Sequence, residues 1–128
     1  MEDRVVLIIE DKPLYAASLA SQFEKWGFRV QVVADDKRVA AAVESEKPEL
    51  LLANTRLKNQ VLTQVNAPIL FISLTNGELP YREHPQPQDG TYTYLNFPCS
   101  VAYFKQQVET VLGCSIQEVL RDTQAQPG

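Results

Sequence analysis

Two hydrophobic patterns take turns along this chain. One is the short unbroken apolar run, Val5–Ile9, Leu50–Ala53 and Ile69–Ile72. Apolar at every position, such a run suits a strand covered on both faces, as in a parallel sheet. The other is a helical stripe. Ala16, Leu19, Ala20, Phe23 and Trp26 recur at i, i+3, i+4 and i+7 spacing, which predicts a first helix over 14–26. Pro13 suits its first turn, where a missing N–H is harmless, and Gly27 ends it.

The same alternation continues down the chain. Phe28–Val33 reads as a second strand. Asp35 or Asp36 is placed to cap a second helix carrying Val39, Ala42 and Val43 on one stripe. Pro48 stops that helix, and Glu49–Ala53 forms a third strand ending at Asn54-Thr55. A faint helical pattern (Leu57, Val61, Leu62, Val65) fills 56–67, and Pro68 opens a fourth strand, Ile69–Leu74. Gly77, Pro80, Pro85 and Pro87 interrupt any long helix between 75 and 90. Thr91–Leu95 is a fifth strand and Asn96-Phe97-Pro98 a turn. The last long helix runs from Ser100 to Leu112, with Val101, Phe104, Val108, Val111 and Leu112 on its inner face. Gly113 ends it, and Ser115…Glu118 has the spacing of a capping box, so a short extra helix is expected. Strands alternating with helices predict βαβ units and an α/β fold with a parallel sheet.

Composition narrows the function. The 128 residues suit one domain with a real core. A net charge of −4 argues against direct binding to nucleic acid or an anionic membrane surface. The apolar runs fall far short of the ~18–20 residues of a membrane helix. No basic stretch precedes the first strand, so no secretory signal is expected. Cys99 and Cys114 are far apart and match no metal spacing, which predicts a cytoplasmic protein with reduced thiols. Cys99 falls near the first turn of a helix, where a thiol pKa can drop, against the plainer reading of an inert structural thiol. The lone His84 lies among prolines, and the dispersed glycines form no phosphate-cradling loop. Neither an enzymatic triad nor a cofactor site can be assembled from these residues.

The chemistry gathers at Glu10 and Asp11, directly after the first strand, where open α/β sheets place their sites. Five segments in order carry a resemblance: strand-Glu10-Asp11, Trp26-Gly27-Phe28, Pro48-Glu49-Leu50-Leu51-Leu52, Pro68 to Ser73, and Tyr94-Leu95-x-x-Pro98. Together they resemble the receiver domain of two-component response regulators, in a degenerate, pseudo-receiver form, over residues 4–112. The resemblance implies a flavodoxin-like three-layer sandwich with a five-stranded parallel sheet of order 2-1-3-4-5. In such a fold the segment after Asn54 leaves room for only a short third helix, and the proline-rich stretch replaces or disrupts the fourth. Residues 113–128 then form an extension or linker beyond the receiver-like domain 1–112.

The resemblance also implies a phosphoryl acceptor at the end of the third strand, with Mg²⁺ held by the first-strand acids. Glu10 and Asp11 match the acid pair, Ser73 the hydroxyl position, Tyr94 the switch aromatic, and Pro98 a proline that follows a cis bond in that family. Two positions depart. Asn54 stands where the acceptor aspartate belongs, and Phe97 where a lysine belongs. An amide has no anionic oxygen with which to attack phosphorus. A phenyl ring offers no charge-assisted hydrogen bond to a phosphoryl group. The expectation is a phosphorylation-independent interaction module whose partner is a protein, a fused output domain, or a second copy meeting it through the fifth strand and last helix. The competing expectations are Mg²⁺-dependent binding of a phosphorylated small molecule at Glu10 and Asp11, and phosphorylation at another residue such as Ser73 or Thr55. Arg56 and Lys12 are the candidate cations to neutralise the acid pair.

Overall fold

The computed structural model describes residues 4–54, 57, 61, 68–74, 92–97 and 99–124. Five strands, β1 (Val5–Ile9), β2 (Arg29–Val33), β3 (Leu50–Asn54), β4 (Ile69–Leu74) and β5 (Tyr92–Phe97), form one sheet in the order β2-β1-β3-β4-β5. Every neighbouring pair is parallel. The helices are α1 (Pro13–Lys25), α2 (Val39–Glu46), α3 (Val101–Leu112) and α4 (Ile116–Gln124). The arrangement is the flavodoxin-like one, with apolar cores on both faces of the sheet.

Position in the sheet explains the two strand patterns. β1 is an inner strand and all five of its residues are buried, so it must be apolar throughout. β2 is an edge strand with one fully buried residue, Val33, and it tolerates Arg29 and Gln31. Alternation along the strands then splits the core in two. Val6, Ile8, Leu50 and Leu52 face α1, α3 and α4, while Leu7, Ile9, Leu51 and Ala53 face α2. The first face is built on aromatic rings. Phe23 meets Trp26, Phe28 and Phe104 edge-on at 5.4, 5.7 and 5.5 Å between ring centroids. Burying a side chain of this size contributes about 1.5–3 kcal/mol, and each aromatic pair adds about 0.5–1.5 kcal/mol.

The boundaries follow local chemistry. Pro13 opens α1 and Gly27 takes a positive φ of 96° just beyond it. Ser100 caps α3, its Oγ accepting the Tyr103 N–H at 3.1 Å. Gly113 closes α3 with φ 78°. Ser115 caps α4, its Oγ accepting the Glu118 N–H at 3.2 Å. Ile116 and Val119 on α4 are buried in the aromatic core.

Three expectations change. Asp35 does not cap α2; its Oδ1 accepts the Lys37 N–H at 3.0 Å at the start of a 3-10 turn, Asp36–Arg38, that precedes the helix. Val101 is 58% exposed, because the first residue of α3 stands clear of the sheet before the helix settles on it. Asn96 and Phe97 belong to β5, since β4 runs on to Leu74 and pairs Ser73 with Asn96 and Leu74 with Phe97. The expected short third helix and the proline-rich stretch lie outside the described residues, save Leu57 and Val61, which pack on the α2 face.

Candidate functional site

The carboxyl edge of the sheet brings the predicted site residues into one line. Ile9 pairs with Ala53, so Glu10 and Asn54, the next residues in their chains, occupy adjacent positions at that edge. Asn54 pairs in turn with Ile72, the residue before Ser73. Tyr94 stands opposite Phe71, and Phe97 ends β5 opposite Leu74. Arg56 and Pro98 lie outside the described residues.

Glu10 is the buried charged residue of the described core, at 7% exposure. Its backbone N–H extends the ladder to β2, donating to the Val33 carbonyl at 3.0 Å. Its carboxylate turns onto the start of α1, where Oε1 accepts the Lys12 N–H at 3.1 Å. An acid at a helix N-terminus is favoured by the helix dipole and by the amides that lack an intrahelical acceptor. Asp11 and Lys12 are exposed. The Lys12 ammonium lies 5.7 Å from the centroid of the Tyr15 ring, and among the described residues it makes no ion pair. Lys12 therefore meets Glu10 through its backbone.

The resemblance implies Mg²⁺ between three carboxylates. Here the third donor is the Asn54 amide, and among the described residues no three His, Cys, Asp or Glu side chains converge. The donor set does not fit that cradle. A divalent ion on Glu10 and Asp11 would have to draw its remaining ligands from water or from a bound phosphate.

The thiols take the plainer reading. Both cysteines are free. Burial pushes the Cys99 thiol up from its ordinary value, correcting the lowered pKa that a helix-start position suggests.

A polar cluster at the opposite, amino edge escaped the sequence reading. The Arg4 guanidinium forks onto Glu49, with Nη2 to Oε1 at 2.7 Å and Nε to Oε2 at 3.0 Å. Its Nη2 also donates to Cys114 Sγ at 3.4 Å. The hydrogen bond to Glu49 raises the guanidinium pKa above its already high ordinary value. The available signal was positional: Arg4 and Glu49 directly precede β1 and β3, which are neighbours in the predicted strand order.

The fold matches solved structures. A response regulator receiver protein from Sinorhizobium medicae WSM419 superposes with a TM-score of 0.66 at 17% identity, covering 88% of this chain and 96% of that one. The fold is that of a response-regulator receiver. No family model matches the sequence. Among curated proteins, the transcriptional regulatory protein YxdJ of Bacillus subtilis (strain 168) is 27% identical over 84% of this chain and 52% of its own. The phyllosphere-induced regulator PhyR of Methylorubrum extorquens is 32% identical over 64% of this chain and 35% of its own. The chain thus spans about half or less of the length of these relatives. On the receiver fold, Glu10, Asp11 and Asn54 sit where strand ends meet at the carboxyl edge, the usual place for a site in an open α/β sheet.

Proposed function

We propose that this chain is a pseudo-receiver: a signalling module that engages a protein partner without being phosphorylated. One observation carries the reading. The residue that ends β3, in line with Glu10, is the amide Asn54. A receiver working by acyl phosphate needs a carboxylate oxygen there, and an amide supplies no comparable nucleophile. Phe97 at the end of β5 removes the second requirement, a cation to meet the phosphoryl oxygens. The relatives that are regulators support a signalling role. The partner face is the one bounded by β5 and α3, where Val101 is exposed at the first turn of α3. It would take an output domain, a separate protein or a second copy.

Intact-mass analysis after incubation with acetyl phosphate and Mg²⁺ tests the reading. The expected result is no phosphoryl adduct on the native chain and none on Asn54→Asp, because Phe97 still withholds the cation. An adduct on the native chain, whether at Ser73, Thr55 or elsewhere, would overturn phosphorylation independence. Efficient labelling of Asn54→Asp would show that the acceptor alone is missing.

A second reading rests on the buried Glu10 next to the exposed Asp11: a site for Mg²⁺ and a phosphorylated small molecule. It requires thermal stabilisation by millimolar Mg²⁺ together with acetyl phosphate or a nucleotide. The pseudo-receiver reading expects no shift.

A further inference from the structure

Among the described strands, β2 is an edge of the sheet, paired with β1 alone. Its hydrogen bonds reveal which residues face outward. The Arg29 N–H donates to the Arg4 carbonyl at 2.8 Å, and the Val33 carbonyl accepts the Glu10 N–H at 3.0 Å. Along a parallel strand, successive residues point both backbone groups to alternate sides. Arg29, Gln31 and Val33 therefore face β1, and Val30 and Val32 turn their N–H and C=O to the open side. Val32 is also 40% exposed, an apolar side chain on an edge strand.

Beside this edge runs a groove of about 660 Å³ between β2 and α2, lined in part by Gln31, Val32, Ala34, Lys37, Arg38 and Ala41. Glu46, which lines the groove, is held by an ion pair to the first residue of β2, Arg29 Nη2 to Glu46 Oε2 at 2.6 Å. That pair uses the carboxylate in the lining. At the other end Lys37 and Arg38 are exposed, and among the described residues neither makes an ion pair. Two adjacent exposed cations, which follow Asp35 and Asp36 in the chain, thus stand at the end of this strand beside the groove.

We propose that this edge binds an extended acidic segment of a partner protein, which adds as a further strand along β2. The backbone groups of Val30 and Val32 supply the ladder. Acids at alternate positions turn into the groove toward Lys37 and Arg38, and the apolar residues between them lie on the other face of the sheet, beside the exposed Val32 side chain. A second copy is the poorer occupant. Antiparallel pairing through the same edge would bring Lys37 and Arg38 toward Arg29 of the other copy, where the nearby acid, Glu46, is already engaged by Arg29 and leaves them no counter-charge. With five residues in β2, the contact belongs to the small, transient class. The proposal does not involve Asn54, so it stands or falls separately from the pseudo-receiver reading.

The test uses the full chain and a blocked, dye-labelled octapeptide of alternating glutamate and valine. Saturable binding that weakens with added salt is expected, with the amide signals of Val30 and Val32 moving in an NMR titration. Lys37→Glu/Arg38→Glu should weaken it at least tenfold. Val32→Pro should abolish it while leaving the β1–β2 ladder intact, since the lost N–H faces outward. A lysine–valine peptide of the same length should not bind. The proposal is overturned by absence of saturable binding at millimolar peptide, by equal affinity for the lysine–valine peptide, or by undiminished binding in the charge-reversed variant, whose changes are both at exposed positions. Sedimentation showing a dimer held by the β2 edge would give that edge to a second copy and overturn it equally.

Discussion

Glu49 and Glu10 stand at opposite ends of one sheet, and the contacts described for them differ in kind. At the amino end Glu49 is gripped by the Arg4 guanidinium, which also reaches Cys114 in the turn between α3 and α4. The start of β1, the start of β3 and the α3–α4 turn are thereby tied together. The same turn carries the Gly113 cap, the Ser115 cap and a bond from the Ile116 N–H to Glu109 Oε2 at 2.8 Å. At the carboxyl end Glu10 accepts a backbone N–H, that of Lys12. A side-chain pin depends on which residue supplies it. A backbone donor is set by the path of the chain and survives almost any substitution. The amino end is thus an anchor written in particular side chains. The carboxyl end has the receiver fold with an amide, Asn54, at the end of β3.

The contrast can be broken most directly at Arg4. Arg4→Ala removes the fork and leaves a partly buried carboxylate without its cation, so a loss of about 1–3 kcal/mol in urea unfolding is expected. A matching Glu49→Ala and the double variant should show coupling between the two residues. Additive effects would mean that the pin contributes little. Gly113→Ala should cost about 1–2 kcal/mol, the penalty of a Cβ in the left-handed region. A Cβ there meets nothing within 4 Å, so the whole effect is the positive φ of 78°. Ser115→Ala should cost about 1 kcal/mol by exposing the first turn of α4, and amide exchange in 116–120 should rise with it. Lys12→Ala at the other end should change stability by less than about 0.5 kcal/mol, because the donor to Glu10 is retained. A larger loss would show that the Lys12 side chain, and not its amide, supports the acid.

Much of this was readable in advance because burial leaves a local record. Val5–Ile9 must be apolar throughout to sit between two layers, and that run, repeated at β3 and β4, predicts the parallel sheet. Phe23 and Trp26 fall on one helical stripe and Phe104 on another, so spacing showed that each faces the core, while their meeting appears only in the fold. The ends of elements were less legible. Asp35 is as good a cap residue as any, yet its oxygen serves the turn before α2, a choice made by the path of the chain. Val101 fits the stripe of α3 but stands outside the packed layer.

The amino-acid sequence by itself determined the alternation of strands and helices, and it placed an amide, Asn54, at the end of the third strand. Both are local properties: periodicity follows from which side chains must leave water, and an amide is neutral wherever it lies. Only the tertiary structure decided that Arg4, Glu49 and Cys114 form one cluster, that Glu10 is held by the start of α1, and that β2 leaves an edge beside two cations. Those are contacts between segments distant in the chain, and their geometry exists only once the sheet has been assembled.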